Sequence, residues 1–373
     1  MKSKSKIIAI IAAVLSVALI VVLLLNGKKK NKDNVFTIGV VLPLTGSMNQ
    51  LGQQEQEGML LAEKIINNGL ESPRIELVFE DSKSNSKDGL FASNKLANQK
   101  VDVIMTCLTG VTKASIPIAE RYGIDLVAFC ADPDIASMSL YASRVYEGME
   151  DEGAAIVRYI ENYIEDGKRV GIIYNQVDCW EFVVSEMLVP TILNNNKVLC
   201  LKECYPIGGQ DFSNLIGKIR MAQADVLIVL SYGYEFPVLY PQMVENHILD
   251  NVQIVGGWGY LYPTIDPSIL ENTVVAAPGF MFEQNEEAQD LASLFFKSYS
   301  KQLNFDIAMA YNAIFIVNKY LEMKTDNKRF KELIVGEKVS ASVVGDFSFD
   351  NNGSLRMTNY LGRYQNGQLV LLE

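Results

Sequence analysis

Apolar and polar positions along the chain follow two spacings, one typical of buried strands and one of amphipathic helices. The stretch 37–68 shows both: an apolar run, a Pro/Thr/Gly turn, and a helical pattern that opens just after Gly52. Short apolar runs predict strands, and apolar residues three and four positions apart predict helices. The predicted strands of this part are 36–42, 74–80, 101–107 and 124–130, and its predicted helices are 53–68, 87–98 and 113–122. Their alternation predicts a parallel sheet with helices on both faces.

The same alternation restarts after about residue 150. The predicted helices there are 151–165, 181–194, 211–222 and 235–248, and the predicted strands are 169–174, 197–204, 225–231 and 252–256. A long helical pattern then covers about 290–324, and the end of the chain alternates as strands around two Asn-Gly turns. Two doubly wound units in succession predict a two-lobed α/β protein, with the cleft between the lobes as the natural ligand site.

The N-terminal part has a different character. Residues 7–25 form an apolar run of nineteen residues without a charge, which at about 1.5 Å per residue spans roughly the hydrocarbon core of a bilayer. Lysines lie on both sides, in the basic segment 1–6 and in the polar linker 26–35, so charge leaves the orientation open. The small-x-small site at 16–18 lies inside the run. We therefore expect a retained membrane anchor rather than a cleaved signal segment.

The charge and the cysteines exclude several classes of partner. A formal net charge of -11 argues against a nucleic-acid partner, because phosphate binding needs a basic surface. The five cysteines are an odd number, so at least one thiol is unpaired within the chain. Cys200 and Cys204, four apart in a predicted strand, are too far apart for a bridge. Without a CxxC or Cys/His cluster we expect no metal, and the cysteines are interpreted as small buried apolar residues.

Catalytic motifs are absent from the sequence. The only histidine, His247, lies near the end of a predicted helix, where a structural role is the ordinary one. Neither a serine-nucleophile motif nor a P-loop occurs, and the glycines at 256–259 lack the helix start that would cradle a phosphate. We therefore expect no enzyme activity and no cofactor.

Polar and aromatic residues follow the ends of several predicted strands. Thr109 and Gly110 follow strand 101–107 and open a helix, where free N–H groups and a hydroxyl suit a carboxylate; an ordinary helix cap is the equal alternative. Cys130 and Asp132 follow the neighbouring strand, where Asp132 either receives an ammonium group or caps a turn. In the second unit, aromatic side chains beyond the strand ends form a possible pocket wall: Trp180, Tyr232, Tyr234, Trp258 and Tyr260.

Seven motifs in order, from about residue 36 to the end, resemble the type I periplasmic-binding-protein family, in its leucine/isoleucine/valine-binding branch. They are IGVVLPLTGSMNQLGQQEQEGMLLAEKIIN, ELVFEDSKSN, DVIMTCLTGVTKASIPIAERYGI, DFS, ADVLIVLSYG, MAYNA and FSFDNNGSL. The resemblance implies two Rossmann-like lobes joined by three crossovers. Lobe 1 would comprise 36–145 and about 277–336, and lobe 2 would comprise 146–276 and about 337–373.

The resemblance also implies residue roles. Thr109 and the neighbouring backbone correspond to the site that holds an amino acid's carboxylate, and the segment from Cys130 to Asp132 to its small-residue wall. Trp180 and Tyr232 fall near the aromatic residues that close from the second lobe, whereas Leu51 takes a position that is often aromatic in relatives.

One departure concerns the ligand's ammonium group. Trp258 stands where amino-acid binders commonly carry the acid that holds this group. We therefore expect Asp132 to supply the charge for an amino-acid-like zwitterion. An uncharged or amide-like ligand is the alternative that the aromatic wall would also suit.

The resulting functional prediction is an extracytoplasmic solute-binding protein that delivers an amino acid or similar compound to the permease subunits of an ATP-binding-cassette transporter. It would sit at the outer face of the cytoplasmic membrane, anchored by its N-terminal segment or released after cleavage. A sensor that reports ligand occupancy to a membrane signalling partner is the alternative.

Overall fold

The computed structural model describes residues 35–71, 74–261, 265–282, 285–323 and 328–372. The predicted anchor 7–25 and the basic segment 1–6 lie outside this part of the chain, as does nearly all of the linker 26–35. Within the described ranges, no helix combines the length and the apolar character needed to cross a membrane.

The first sheet has five strands, all parallel, in the order β2-β1-β3-β4-β5. They are β1 (Phe36–Leu42), β2 (Ile75–Asp81), β3 (Val103–Cys107), β4 (Asp125–Phe129) and β5 (Ala142–Arg144). β3 and β4 are buried along their whole length, which is the rule for parallel strands covered on both faces. The predicted parallel sheet is confirmed, although the short edge strand β5 was not predicted.

Helices cover both faces of this sheet. They are α1 (Asn49–Ile66), α2 (Ser86–Asn98) and α3 (Thr109–Tyr122). Late in the chain, α10 (Phe305–Met323) packs on α1, α11 (Phe330–Ile334) contacts β5, and the Tyr299 hydroxyl of α9 (Glu286–Tyr299) donates to the Glu57 carbonyl of α1. Adjacent residues of β1 point to opposite faces: Val40 joins the core that contains Met59 of α1, whereas Val41 joins the core that contains Leu96 of α2. This sheet and the helices packed on it are lobe 1.

The second sheet has seven strands in the order β15-β14-β10-β9-β8-β6-β7. Its parallel strands are β6 (Arg169–Asn175), β7 (Val198–Tyr205), β8 (Val226–Leu230), β9 (Gln253–Gly256) and β10 (Val274–Pro278). An antiparallel hairpin completes it with β14 (Asn359–Gln365) and β15 (Gln368–Leu371). Asn366 and Gly367 both have positive φ in its turn, as the Asn-Gly signal predicts.

The second sheet and its helices form lobe 2. The helices are α4 (Met149–Tyr163), α5 (Asp178–Phe182), α6 (Val189–Asn194), α7 (Ser213–Ala222) and α8 (Phe236–Glu245). A π-helical turn, Val183–Leu188, joins α5 and α6, so the single helix predicted at 181–194 is interrupted. The long helical pattern at about 290–324 forms two helices, α9 and α10.

A third, antiparallel sheet lies beside lobe 1. It contains β11 (Lys338–Ser342), β12 (Gly345–Phe349) and β13 (Leu355–Met357). Ser354, just before β13, forms a parallel bridge with Arg144 at the end of β5. The chain passes between the lobes three times, after β5, after β10 and after β13. The exact lobe boundaries given above stay a prediction.

Candidate functional site

A cleft of about 440 Å³ lies between the two lobes, at the carboxyl ends of the parallel strands. Its lobe 1 wall consists of Ser47, Met48, Leu51, Glu55, Ser84, Cys107, Leu108, Thr109, Gly110, Phe129, Cys130, Ala131 and Asp306. Its lobe 2 wall consists of Gln176, Val177, Cys179, Ile207, Tyr232, Tyr234 and Trp258, and Tyr146 enters from the first crossover. The volume is that of a pocket for one small organic molecule.

The polar part of the lobe 1 wall is the start of α3. This helix begins at Thr109, four residues earlier than predicted, so Thr109 and Gly110 both lie in its first turn. The N–H groups of a first turn have no acceptor within their own helix, and the helix dipole adds partial positive charge there. This edge of the cleft can therefore receive an oxygen of a ligand.

Leu108 holds the turn before α3 in an unusual conformation. Its φ is 70° and its ψ is 133°, a region that a residue with a side chain rarely adopts. Such conformations cost on the order of 1–3 kcal/mol and persist where the surrounding packing imposes them. The Leu108 side chain packs between the two cores of lobe 1, and this packing fixes the direction of the first turn of α3.

Two carboxylic acids, Glu55 and Asp306, line the lobe 1 side. Glu55 is 1% exposed; its Oε1 accepts the thiol proton of Cys107 at 3.3 Å, and its Oε2 has no hydrogen-bond partner. Asp306 accepts a hydrogen bond from the Tyr146 hydroxyl at 2.5 Å. Burial raises the pKa of Glu55 well above its usual range, and the neighbouring Asp306 raises it further. Neither acid was predicted from the sequence.

Aromatic rings form much of the facing wall. Tyr146 meets Trp258 edge to face, with ring centroids 5.4 Å apart, and Tyr232 lies 6.2 Å from Tyr234. The Asn175 side chain at the end of β6 accepts the backbone N–H of Tyr232 at 3.0 Å, which fixes the loop after β8. These rings offer both apolar contact area and π faces that attract a cation.

Two buried glutamates hold Trp258 in place. Glu147 accepts the indole Nε1–H at 3.1 Å, and Glu152 accepts the Trp258 backbone N–H at 3.0 Å. Asn359 donates a second hydrogen bond to Glu147. Burial raises the pKa of Glu147 well above its usual range and raises that of Glu152 to about 7. The indole is therefore oriented by groups from the first crossover and the start of α4.

The structure brings six of the eight residues predicted from the sequence to the wall of the cleft. They are Leu51, Thr109, Gly110, Cys130, Tyr232 and Trp258. Trp180 is fully buried behind the wall and packs against Tyr232, with ring centroids 4.5 Å apart. It therefore supports a wall residue instead of lining the cleft.

Asp132 also lies outside the wall of the cleft. Its carboxylate is 3% exposed, pairs with Lys113 of α3 at 2.9 Å and accepts the backbone N–H of Asp134 at 2.9 Å. Of the two alternatives drawn from the sequence, this geometry matches the turn cap, because the ammonium group that Asp132 binds belongs to Lys113 and not to a ligand.

The sequence did carry a signal for the two acids that were missed. Leu51, Glu55 and Met59 are spaced four apart, so a carboxylate lies on the apolar face of α1. Asp306 lies in the first turn of α10, a helix whose other residues are mostly buried and apolar. A charged residue on a buried stripe is costly unless it is paired or functional.

The cysteines agree with the expectation of buried thiols only in part. All five carry free thiols; Cys107, Cys130 and Cys179 are buried, Cys200 is half-buried and Cys204 is exposed. The three buried ones all line the cleft. In the described part of the chain, no group of three or more potential ligands could hold a metal ion.

Two α/β lobes with a ligand-sized cleft between them define a class of proteins that bind a solute by enclosing it. The chain belongs to the periplasmic binding protein family, whose sequence model matches residues 35–368. Membership implies an extracytoplasmic location.

Curated relatives carry names from the same branch. Leu/Ile/Val-binding protein homolog 3 of Brucella melitensis is 24% identical over 214 residues, which covers 56% of this chain and 57% of that protein. Leu/Ile/Val-binding protein BraC3 of Rhizobium johnstonii is 25% identical over 227 residues, covering 59% and 60%. The chain thus spans somewhat more than half the length of the curated relatives it matches.

Solved structures share the fold over nearly the whole described chain. LivJ of Streptococcus pneumoniae, in complex with isoleucine, has a TM-score of 0.77 at 20% identity, covering 90% of this chain and 98% of that one. A solute-binding protein of Rhodopseudomonas palustris, in complex with 3,4-dihydroxybenzoic acid, has a TM-score of 0.78 at 17% identity, covering 90% and 95%. The two-lobe fold therefore accommodates both amino acids and aromatic acids in other proteins.

Proposed function

We propose that this protein captures a small organic molecule, an amino acid or an amino-acid-like compound, in the cleft between its lobes and delivers it to an ATP-binding-cassette transporter. The observation that carries the proposal is the cleft of about 440 Å³, whose two walls come from different lobes. A site divided in this way encloses its ligand by closure of the lobes, which removes water from the ligand's polar groups.

The two walls suit different parts of such a ligand. The hydroxyl of Thr109 and the N–H groups of the first turn of α3 would receive a carboxylate or another oxygen. The rings of Tyr232 and Trp258 would cover the apolar part. Asp132, whose carboxylate already holds Lys113, is not assigned a contact with the ligand.

The proposal also includes the location of this protein in the cell and its protein partners. Capture would occur outside the cytoplasmic membrane, with the segment 7–25 as an anchor, and the closed form would dock on permease subunits. The site is proposed to bind and release its ligand unchanged.

Thermal denaturation and calorimetry of the full-length protein with leucine, isoleucine, phenylalanine, their amides and 4-hydroxybenzoate would test this function. A true ligand at a hundred times its Kd stabilises the fold by about 2.7 kcal/mol. We expect Thr109→Ala to weaken binding up to about tenfold, the value of one neutral hydrogen bond.

The control is Thr191→Ala, whose hydroxyl lies outside the cleft and binds the Met187 carbonyl at 2.7 Å. This variant should retain the affinity of the natural protein. Binding that survives Thr109→Ala unchanged, or chemical turnover of a bound compound, would contradict the proposal.

A further inference from the structure

The acidic residues in the wall of the cleft have no basic counterpart among its described lining residues. Among its described lining residues, Glu55 and Asp306 are acidic and none is Lys, Arg or His. A ligand that carries a negative charge would therefore meet no side-chain cation in the wall, only the N–H groups at the start of α3. A ligand that carries a positive charge would meet two acids.

One carboxylate oxygen of Glu55 accepts no hydrogen bond within the protein. Glu55 Oε2 is buried without a hydrogen-bond partner, and Glu55 is one of the residues that line the cleft. A buried acceptor left unpaired costs about 1–3 kcal/mol, and more when it is charged. The other oxygen, Oε1, already accepts the hydrogen bond of the Cys107 thiol. Oε2 is therefore the atom that can accept a hydrogen bond from a ligand.

Among the residues that the structure describes, none of the groups that face Glu55 is a cation. The groups that face it are the thiol of Cys107 at the end of β3, the carboxylate of Asp306 at the start of α10, and the phenol of Tyr234 from lobe 2. The thiol of Cys107 and the carboxylate of Asp306 do not repel a cation, and the aromatic ring of Tyr234 attracts one.

The geometry points to Glu55 Oε2 as the acceptor for a ligand's ammonium group, with Asp306 as a second acid and the tyrosine and tryptophan rings around the apolar part. Among the amino-acid-like compounds of the proposed function, the favoured ligand class is then an organic amine with a net positive charge, preferred over the corresponding zwitterion and over a carboxylic acid. This inference rests on the proposed solute-binding function and names its ligand class.

The burial of Glu55 adds a pH dependence. Burial raises the pKa of Glu55 and so favours its neutral form, whereas a bound ammonium group favours its ionised form. Affinity for an amine should therefore rise with pH through the titration of Glu55.

Three matched probes separate the contributions of the two charges: leucine; isopentylamine, which lacks the carboxylate; and 4-methylpentanoate, which lacks the ammonium group. Calorimetry on the full-length protein should show the tightest binding for isopentylamine, weaker binding for leucine and the weakest for 4-methylpentanoate. Glu55→Gln should weaken isopentylamine binding roughly tenfold to a hundredfold, the range for a hydrogen bond to a charged group.

Glu57→Gln is the matched control. Glu57 lies two residues along the same helix, outside the cleft, and pairs with Lys301 at 2.5 Å. The Glu57→Gln variant should bind isopentylamine with the affinity of the natural protein. If Glu55→Gln reduces folding yield, the pH dependence of isopentylamine binding to the natural protein gives the second measurement.

Two results would overturn the inference. One is 4-methylpentanoate or leucine binding at least as tightly as isopentylamine, and the other is isopentylamine affinity that neither Glu55→Gln nor pH alters. In either case binding of leucine or the acid in the cleft would leave the solute-binding function standing. Failure of that function would appear separately, as no binding of any of these three probes or of the compounds named under the proposed function.

Discussion

At the scale of single residues, two buried acids orient Trp258 in the wall of the cleft without lining the cleft themselves. Its indole and its backbone N–H are both held by glutamates, Glu147 and Glu152, that precede or open α4. Sequence alone marked Trp258 because it follows a predicted strand. The partners lie more than a hundred residues away in the chain, so only the folded structure identifies them.

Glu152 should make stability depend on pH. Its pKa is about 7 in the folded protein, against an ordinary value of 4.5. Between these values the folded state binds more protons than the unfolded state, so the free energy of unfolding falls as pH rises from about 4.5 to about 7. At about 1.4 kcal/mol for each pKa unit, the loss is on the order of 3 kcal/mol.

Urea denaturation of Glu152→Gln across this pH range would measure the effect. In the variant, the free energy of unfolding should no longer fall between about pH 4.5 and about pH 7. The variant should therefore be more stable than the natural protein at pH 8, but not at pH 5. Glu161→Gln, on the exposed face of the same helix, should keep the natural slope. Equal slopes for the natural protein and Glu152→Gln would contradict the assignment.

At the scale of elements, the contact between α1 and α10 decides the packing of lobe 1. A methyl group added at Gly58 would lie 2.4 Å from the Ile307 carbonyl oxygen, so the two helix backbones touch there. The apolar period predicted α1, but it placed the start after Gly52 instead of at Asn49. The partner helix was part of the long helical pattern predicted at about 290–324, but its contact with α1 was not predicted.

Substitution of two helical glycines should have opposite effects. Gly58→Ala forces α1 and α10 apart and should cost about 1–3 kcal/mol or more. At Gly217 in α7 the added methyl group meets nothing within 4 Å, so Gly217→Ala should stabilise by about 0.5–1 kcal/mol. Chemical denaturation of both variants gives the comparison. A stabilising Gly58→Ala would show that the helices can separate without cost.

At the scale of the whole molecule, a buried ionic cluster joins two of the three passages between the lobes. The fully buried Arg144 guanidinium pairs with Glu150 and donates to the Ala131 and Leu355 carbonyls, each at 3.4 Å. Arg356 pairs with Asp151 at 2.6 Å. These contacts tie the start of α4 to the strand β13, where the chain re-enters lobe 2.

Removal of Arg144 should destabilise the whole protein. Arg144→Met leaves Glu150 largely buried without its main cation, which we expect to cost about 3 kcal/mol. Adding Glu150→Gln should recover part of the loss, because the unpaired charge is then gone. Lys202→Met, which breaks the exposed pair with Glu181 at 2.9 Å, should cost at most about 1 kcal/mol. Urea denaturation of the three variants tests the ranking; equal losses for Arg144→Met and Lys202→Met would refute it.

The sequence by itself determined the repeating strand and helix pattern, because burial imposes short-range periods that local residues must satisfy. It also located Thr109, Cys130, Tyr232 and Trp258, since the carboxyl ends of parallel strands can be found from the strands themselves. Only the tertiary structure decided which acids face the cleft. Glu55, Asp306 and Asp132 are chemically alike in the sequence. Long-range packing gives Asp306 the Tyr146 hydroxyl and Asp132 the Lys113 ammonium group as partners, but it leaves Glu55 Oε2 without one.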